Sequence, residues 1–386
     1  MRESRARTVV EYLRVETVGG GILLVAAAIA LVVANTPLRD AYETFRHTEL
    51  TLGPITLDLA HWISEGLLAL FFFVAGLEVK RELVVGELSD RRRAALPVVA
   101  AIAGMVVPAA VYLLVAWGAE GGGRGWAVPM ATDIAFALGV LAIAHERYPA
   151  SLRVLLLSLA VVDDLGAILV IAVFFASGLA PLPLLGALAA FAVYAALQRR
   201  RVTAWWLYVP LAVVAWVFIH EAGIHATVAA VALGLLTRVR ADEDEEQSPA
   251  ERLEHLLQPW SAGLVVPLFA FTAAGVALSG DVLRAATGDR IAIAVFLGLV
   301  AGKLLGIVGG VRVATAAGAT MPPGVRTYDT LALGALGGVG FTVSLLLAEL
   351  AFEGQTAEHA KMAVLAASLL SSVLATVLLH LRRPDA

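Results

Sequence analysis

Long apolar runs recur along nearly the whole chain, separated by short polar stretches. About 20 apolar residues, at 1.5 Å rise each, cross the hydrocarbon core of a bilayer. At that length the runs predict about twelve spans, near 17–35, 60–85, 95–116, 126–143, 150–176, 182–200, 205–219, 223–237, 255–279, 290–312, 327–351 and 357–381. The seventh is short, and the break after it is tight. Between the first two, Leu50-Thr-Leu-Gly-Pro-Ile-Thr-Leu-Asp-Leu59 alternates around Gly53-Pro54, which predicts an external β-hairpin or loop within 38–59. Residues 238–254 carry Asp242-Glu-Asp-Glu-Glu246 and read as a solvated acidic linker. The reading is one transmembrane domain over 1–386, all-α and polytopic.

Composition agrees. Of 386 residues 60% are hydrophobic and 16% charged, against about 25% charged in soluble domains. Mean hydropathy is +0.84. The net charge of −4 is modest, and no basic patch with interleaved aromatics points to nucleic acid. With no Cys, disulfides, thiol catalysis and thiolate metal sites are excluded.

Lys and Arg fall unevenly between the two sets of loops. One set holds the Arg2, Arg5, Arg7 and Arg14 group, Lys80, Arg81, Arg91–Arg93, Arg147, Arg199–Arg201, Arg238, Arg240, Arg382 and Arg383, among others. The other holds Arg39, Arg46, Arg124, Arg284, Arg290 and Lys361. The positive-inside rule places the first set and both termini in the cytoplasm. An even number of crossings follows, which supports twelve. The first apolar run lacks a small-residue cleavage site and reads as a retained span.

A few polar groups lie at membrane depth. Asp163 and Asp164 stand side by side in the run from Val154 to Ala176. Each costs roughly 2.5–3.5 kcal/mol near the middle of an inserted helix, so an ion or proton pathway is the reading to start from. Adjacent side chains on a helix point about 100° apart, so the two need not share one job. Carboxylates are hard oxygen ligands, suited to Na+, Li+ or H+. Lys303 lies inside span ten and is one of three lysines beside 25 arginines. An ammonium there needs an acidic partner, Asp163 or Asp164, or must give up its proton. Pro129 and Thr132-Asp133 interrupt span four, and Gly334-Ala-Leu-Gly-Gly-Val-Gly340 interrupts span eleven, with Thr342 and Ser344 just after. Two interrupted spans in corresponding places point to a transporter site at midplane.

A second group gathers toward the cytoplasmic face. Glu78, Lys80, Arg81 and Glu82 end span two, with Glu82 four residues after Glu78 on one helix face. Glu254 and His255 open span nine. His225 sits near the opposite face. Carboxylates gathered in a cytoplasmic funnel would titrate with cytoplasmic pH.

Together, Gly76-Leu-Glu-Val-Lys-Arg-Glu82, Thr132-Asp133, Val161-Val-Asp-Asp-Leu-Gly166, Gly223-Ile-His-Ala-Thr227, Pro267-Leu-Phe-Ala-Phe271 and Gly340-Phe-Thr-Val-Ser344 resemble bacterial NhaA-type Na+/H+ antiporters, from about residue 15 to 380. The resemblance implies inverted-topology repeats, spans three to five matching ten to twelve, with broken spans four and eleven crossing at midplane. It implies electrogenic exchange of cytoplasmic Na+ or Li+ for external H+, activated at alkaline pH, with no cofactor. Asp163, Asp164, Asp133 and Thr132 would form the cation and proton site, with Na+ on Asp164 and Asp163. Lys303 and Asp133 would compensate charge, or Lys303 would pair with Asp163. Glu78, Glu82, Glu254, His255 and His225 would set the pH response. The external hairpin would join a homodimer in the bacterial inner membrane, within the lipid bilayer. One departure is Gln258, where the best-studied members have a second His.

Two rival readings remain at this stage. An intramembrane aspartyl protease also uses two carboxyls sharing a proton, but its pair should come from different helices. A Na+-coupled symporter for a small anion should commit an Arg at midplane, and no Arg lies deep in any run.

Overall fold

The computed structural model describes residues 16–53, 55–143, 148–176, 178–243 and 245–381. Pro54 and Asp244, and the loop arginines Arg2, Arg5, Arg7, Arg14, Arg147, Arg382 and Arg383, lie outside the described residues. Seven helices among those described are long and apolar enough to cross a membrane: Leu59–Val84, Arg91–Val115, Ala150–Phe174, Pro181–Arg199, Pro249–Ala273, Arg290–Ala316 and Gly354–Leu381. Three more pass as bent pairs: Val18–Ala34 with Arg39–Arg46 (118°), Gly122–Met130 with Ile134–Ala142 (44°), and Asp329–Gly337 with Phe341–Ala351 (40°). Trp205–Glu221 and Thr227–Leu236 are shorter and apolar. Every predicted span therefore falls on a helix, and the fold is an all-α polytopic membrane protein with bent helices. Spans are numbered one to twelve in that chain order.

Both ends of span nine depart from the sequence pattern. Span nine starts at Pro249, inside the predicted linker, because Ser248 and Glu251 form a reciprocal cap. The Ser248 hydroxyl accepts from Glu251 N–H, and the Glu251 carboxylate accepts from Ser248 N–H at 2.9 Å. The same span ends at Ala273, and a short helix Gly280–Gly288 follows. Beyond the 118° bend after Ala34, the helix Arg39–Arg46 leads into the predicted hairpin. There β1 (Glu49–Leu52) pairs antiparallel with β2 (Ile55–Asp58), Thr51 opposite Thr56. Gly53, at φ 62°, supplies the left-handed turn conformation that other residues resist.

The chain forms two compact units. Among the described residues, one comprises those within Phe45–Ser89 and Ile168–Phe269, the other those within Val15–Thr44, Asp90–Ala167 and Ala270–Ala386. In the second unit, span ten lies on span three along a seam of small residues. Gly302, Gly306 and Gly310 recur every four residues, so they share a helix face. A Cβ on Gly306 would stand 2.5 Å from the Ala103 carbonyl oxygen, and one on Gly310 2.8 Å from the Ala100 Cα. Only glycine lets the backbones approach this closely, which is how helices gain packing contact in lipid. Lys303 follows Gly302 and therefore projects about 100° round from the seam. A π-helical turn, Gly298–Gly302, leads into it. Such turns recur at functional sites.

In the first unit, spans two and eight meet in the same manner. A Cβ on Gly76 would stand 2.7 Å from the Val231 carbonyl oxygen, and one on Gly234 2.7 Å from that of Phe73.

Candidate functional site

Spans four and eleven break for local reasons. The first half of span four is a 3-10 helix, Gly122–Met130, ending after Pro129 in extended backbone at Ala131. Span eleven breaks between Gly337 and Phe341, where glycine costs helix stability. Each break leaves carbonyls at one helix end and N–H groups at the next without internal partners. The two breaks satisfy one another. Asp133 N–H donates to Val339 O at 2.6 Å. Thr132 Oγ1 lies 3.0 Å from Gly337 O. Ser344 Oγ donates to Val128 O at 2.7 Å.

Asp133 holds two helix starts at once. Its Oδ1 accepts from Phe136 N–H at 2.9 Å. Its Oδ2 accepts from Thr342 N–H at 3.1 Å and from Thr342 Oγ1 at 2.8 Å. A carboxylate at the positive ends of two half-helices is placed to neutralise them. Of the two expectations for Asp133, this geometry fits charge compensation. Its oxygens are committed to helix donors, and none of these bonds runs to Asp163 or Asp164.

Beside the crossing, span ten brings the Lys303 ammonium onto Asp163 Oδ2. Lys303 Nζ also donates to Thr132 Oγ1 at 3.0 Å, and Thr132 Oγ1 lies 2.7 Å from Asp163 Oδ2. Lys303, Thr132 and Asp163 are all fully buried. Asp163 Oδ1 has no hydrogen-bond partner among the described residues. Thr132 carries one hydroxyl proton, so it serves either Asp163 or the Gly337 carbonyl at any moment. The structure thus resolves the Lys303 partner as Asp163. Asp164, at 7% exposure, points elsewhere on the helix yet remains in electrostatic range of Lys303.

The sequence matches the family described as Na+/H+ antiporter 1 over residues 10–379. The chain belongs to this family. Its relatives include Na(+)/H(+) antiporter NhaA 1 of Saccharopolyspora erythraea, 60% identical over 378 residues, which span 97% of this chain and 91% of that one. Na(+)/H(+) antiporter NhaA of Nocardia farcinica is 57% identical over 385 residues, 97% of this chain and 92% of that one. Among solved structures, the sodium proton antiporter MjNhaP1 from Methanocaldococcus jannaschii superposes with a TM-score of 0.54 at 15% identity, covering 98% of this chain and 99% of that one. That likeness carries the fold alone. Proteins of this antiporter family are transporters rather than enzymes, which removes the protease reading.

The second predicted group is brought together only in part. Arg81 Nη1 meets Glu254 Oε1 at 3.1 Å, joining the end of span two to span nine. Glu254 is buried, and its Oε2 has no hydrogen-bond partner among the described residues. Glu78 is half-buried and His255 exposed. Glu82 accepts from Glu87 N–H at 3.1 Å. His225 stands apart from this group. Its Nδ1 pairs with Thr227 Oγ1 at 2.7 Å, and it interacts with Glu65. Glu65 itself lies roughly 24 Å along span two from Arg81 at 1.5 Å per residue.

The acidic linker is tied by ion pairs. Asp242 and Glu245 are held by arginines: Arg201 reaches Asp242 at 2.6 Å, and Arg238 reaches Asp242 and Glu245 at 2.8 Å each. The Arg238 hydrogen bond, then the Asp242 N–H, keep the Glu245 carboxyl below the usual carboxylate range.

Three features escaped the sequence reading. The Gly302, Gly306 and Gly310 spacing was visible as a small-residue repeat. Ser368, Ser371 and Ser372 are buried in span twelve and were visible as polar positions at helical spacing. Glu65 pairs with His220 Nδ1 at 2.9 Å, a contact between distant spans with no local signal.

Proposed function

We propose that this chain exchanges cytoplasmic Na+ or Li+ for external H+ across the bacterial inner membrane, electrogenically and with activation at alkaline pH. Membership of the Na+/H+ antiporter family supplies the ions. The observation that carries the mechanism is the buried Lys303–Asp163 pair with Thr132, next to Asp164 and against the crossing of two broken spans. Asp164 is the less enclosed carboxyl and receives the cation. A cation and a proton compete for that carboxylate, so binding of one expels the other. Asp163 and Lys303 form a second titratable position. Exchange of a proton there would supply more than one H+ per Na+, which electrogenic transport needs. Asp133 neutralises the two half-helix ends so that they can face the ion site without net charge.

The same reading assigns no cofactor and a homodimer joined through the external hairpin. The exposed apolar residues Leu50 and Leu52 on β1 support that contact. Residues Glu78, Glu82, Glu254 and His255 are assigned to the pH response, centred on the Arg81–Glu254 pair. His225 would contribute from the other end of its unit. Both termini are assigned to the cytoplasm on the charge bias of the loops.

The test uses proteoliposomes with an internal pH dye, challenged with Na+, Li+ and K+. Na+ and Li+ should drive proton movement, and K+ should not. Asp164→Asn keeps the side-chain volume but removes the exchangeable proton and the charge, and should abolish the signal at every pH. Asp163→Asn should be nearly as damaging. Unchanged Na+-driven proton flux in Asp164→Asn would overturn the site.

A further inference from the structure

The Ser368 hydroxyl, on span twelve, accepts from Phe341 N–H at 3.2 Å, with both residues buried. Phe341 is the first residue of the second half of span eleven. Its N–H is one of the donors a helix leaves without an internal acceptor. The next donor, Thr342 N–H, goes to Asp133. Side chains of two different spans therefore hold the start of this half-helix.

The other end of the same break is held at the ion site. Gly337 O faces Thr132 Oγ1, the hydroxyl that also contacts Lys303 and Asp163. Only Gly338, Val339 and Gly340 separate Gly337 from Phe341. The segment has little slack, because span twelve presses on it: a Cβ on Gly338 would stand 2.5 Å from Ser371 Oγ. A movement of Phe341 is thereby passed to the Gly337 carbonyl and on to Thr132. Ser372, one turn along, plays no such part; its hydroxyl donates within its own helix to Ser368 O at 2.7 Å.

We infer that Ser368 is a positioning residue for ion exchange: its hydroxyl fixes the break of span eleven and, through the Gly337 carbonyl, sets the Thr132 hydroxyl against Asp163 and Lys303. The inference rests on the proposal that Asp163 and Asp164 bind the ion.

The experiment measures Na+-driven proton flux in proteoliposomes as a function of Na+ concentration at a fixed alkaline pH. The full chain is compared with Ser368→Ala, Ser368→Thr, Ser372→Ala and Asp164→Asn. Ser368→Ala leaves a buried N–H without its acceptor, and should raise the apparent KM for Na+ about tenfold. Ser368→Thr keeps the hydroxyl and should restore the KM. Ser372→Ala should leave it unchanged. A wild-type KM in Ser368→Ala, a change confined to maximal rate, or equal damage in Ser368→Thr overturns the inference. If Ser368→Ala does not insert, Ser368→Cys is read instead: a raised KM supports the positioning role and a wild-type KM overturns it. Asp164→Asn separates the two levels. Retained exchange there overturns the ion site itself, whereas lost exchange with an unaltered Ser368→Ala overturns only the role of Ser368.

Discussion

Lys303 and Asp163 form an ion pair in which neither side chain has any solvent exposure. Taking two charges out of water is costly, and their attraction offsets this only when geometry and further hydrogen bonds are favourable. Here Thr132 supplies the further bond, touching both partners. The arrangement is a poor choice for stability alone, since well-packed apolar residues often do as well. It suits a site whose charges must be exchanged.

Removing one partner exposes the weakness. Lys303→Ala leaves Asp163 buried with no counter-charge, a change worth about 3–5 kcal/mol in comparable buried pairs. The variant should melt at a lower temperature and show an altered pH–rate profile for Na+-driven proton flux. Differential scanning fluorimetry and liposome flux read the two effects separately. If both stay at wild-type values, the pair is not what holds Asp163.

The glycine seam predicts a steric failure. Gly306→Val places branched carbons where a single Cβ would already meet the Ala103 carbonyl oxygen at 2.5 Å. Backbone cannot yield as a side-chain tip can, and overpacking costs typically about 1–3 kcal/mol or more. Folded protein recovered by gel filtration should fall sharply. Gly309→Val, with nothing near its Cβ position, should be recovered normally. Equal recovery of the two would remove the seam as a packing device.

Much of this was legible in the chain. The spans follow from apolar length, and the breaks from Pro129, Thr132-Asp133 and the Gly337-Gly338 pair. Lys303 stood out as a charge where the bilayer tolerates few. Which aspartate it meets was not legible, because Asp163 and Asp164 differ only by about 100° of helix rotation. That rotation depends on how the helices pack, which the apolar pattern does not encode. The ion pairs of the acidic linker were not legible either. Asp242 meets Arg201, far away in sequence, as well as Arg238 close by, and the polar pattern does not show the distant partner. The start of span nine at Pro249 is hidden from the apolar pattern because Ser248-Pro-Ala-Glu251, a helix-start signal, lies within that same polar run.

The external hairpin carries its own pH dependence. Burial alone would raise the Asp58 carboxyl, but the His61 N–H and ring, and then His47, outweigh it and hold it below the usual carboxylate range. Because the folded value lies below the unfolded one, the contribution to stability is present above about pH 4. It is lost as pH falls through the folded value. Hydrogen exchange of the β1 and β2 amides should therefore lose protection on acidification, and Asp58→Asn should flatten that dependence. Protection that is flat with pH in the unaltered chain would show that Asp58 does not anchor the hairpin.

Cation binding and pH control should be separable. Carboxylates at the ion site must lose protons before Na+ binds, so competition alone makes exchange faster as pH rises. A regulatory group adds a second titration. Glu254 is placed for it, since one oxygen holds Arg81 at 3.1 Å while the other has no hydrogen-bond partner among the described residues. Protonating Glu254 weakens that pair and with it the tie between spans two and nine. Glu254→Gln should shift the pH midpoint by up to about one unit, the usual spread of carboxyl values in folded proteins. Maximal turnover at alkaline pH should stay nearly intact. Glu78→Gln should act in the same manner. Glu82→Gln should do less, because its carboxylate is spent on Glu87 N–H. Asp164→Asn should remove turnover at every pH. The measurement is a set of pH–rate curves at limiting and at saturating Na+. Under pure competition, saturating Na+ erases the pH dependence and the Glu254 and Glu78 variants keep the wild-type midpoint. That pair of results would leave the ion site as the whole mechanism and the Arg81–Glu254 contact as a structural tie.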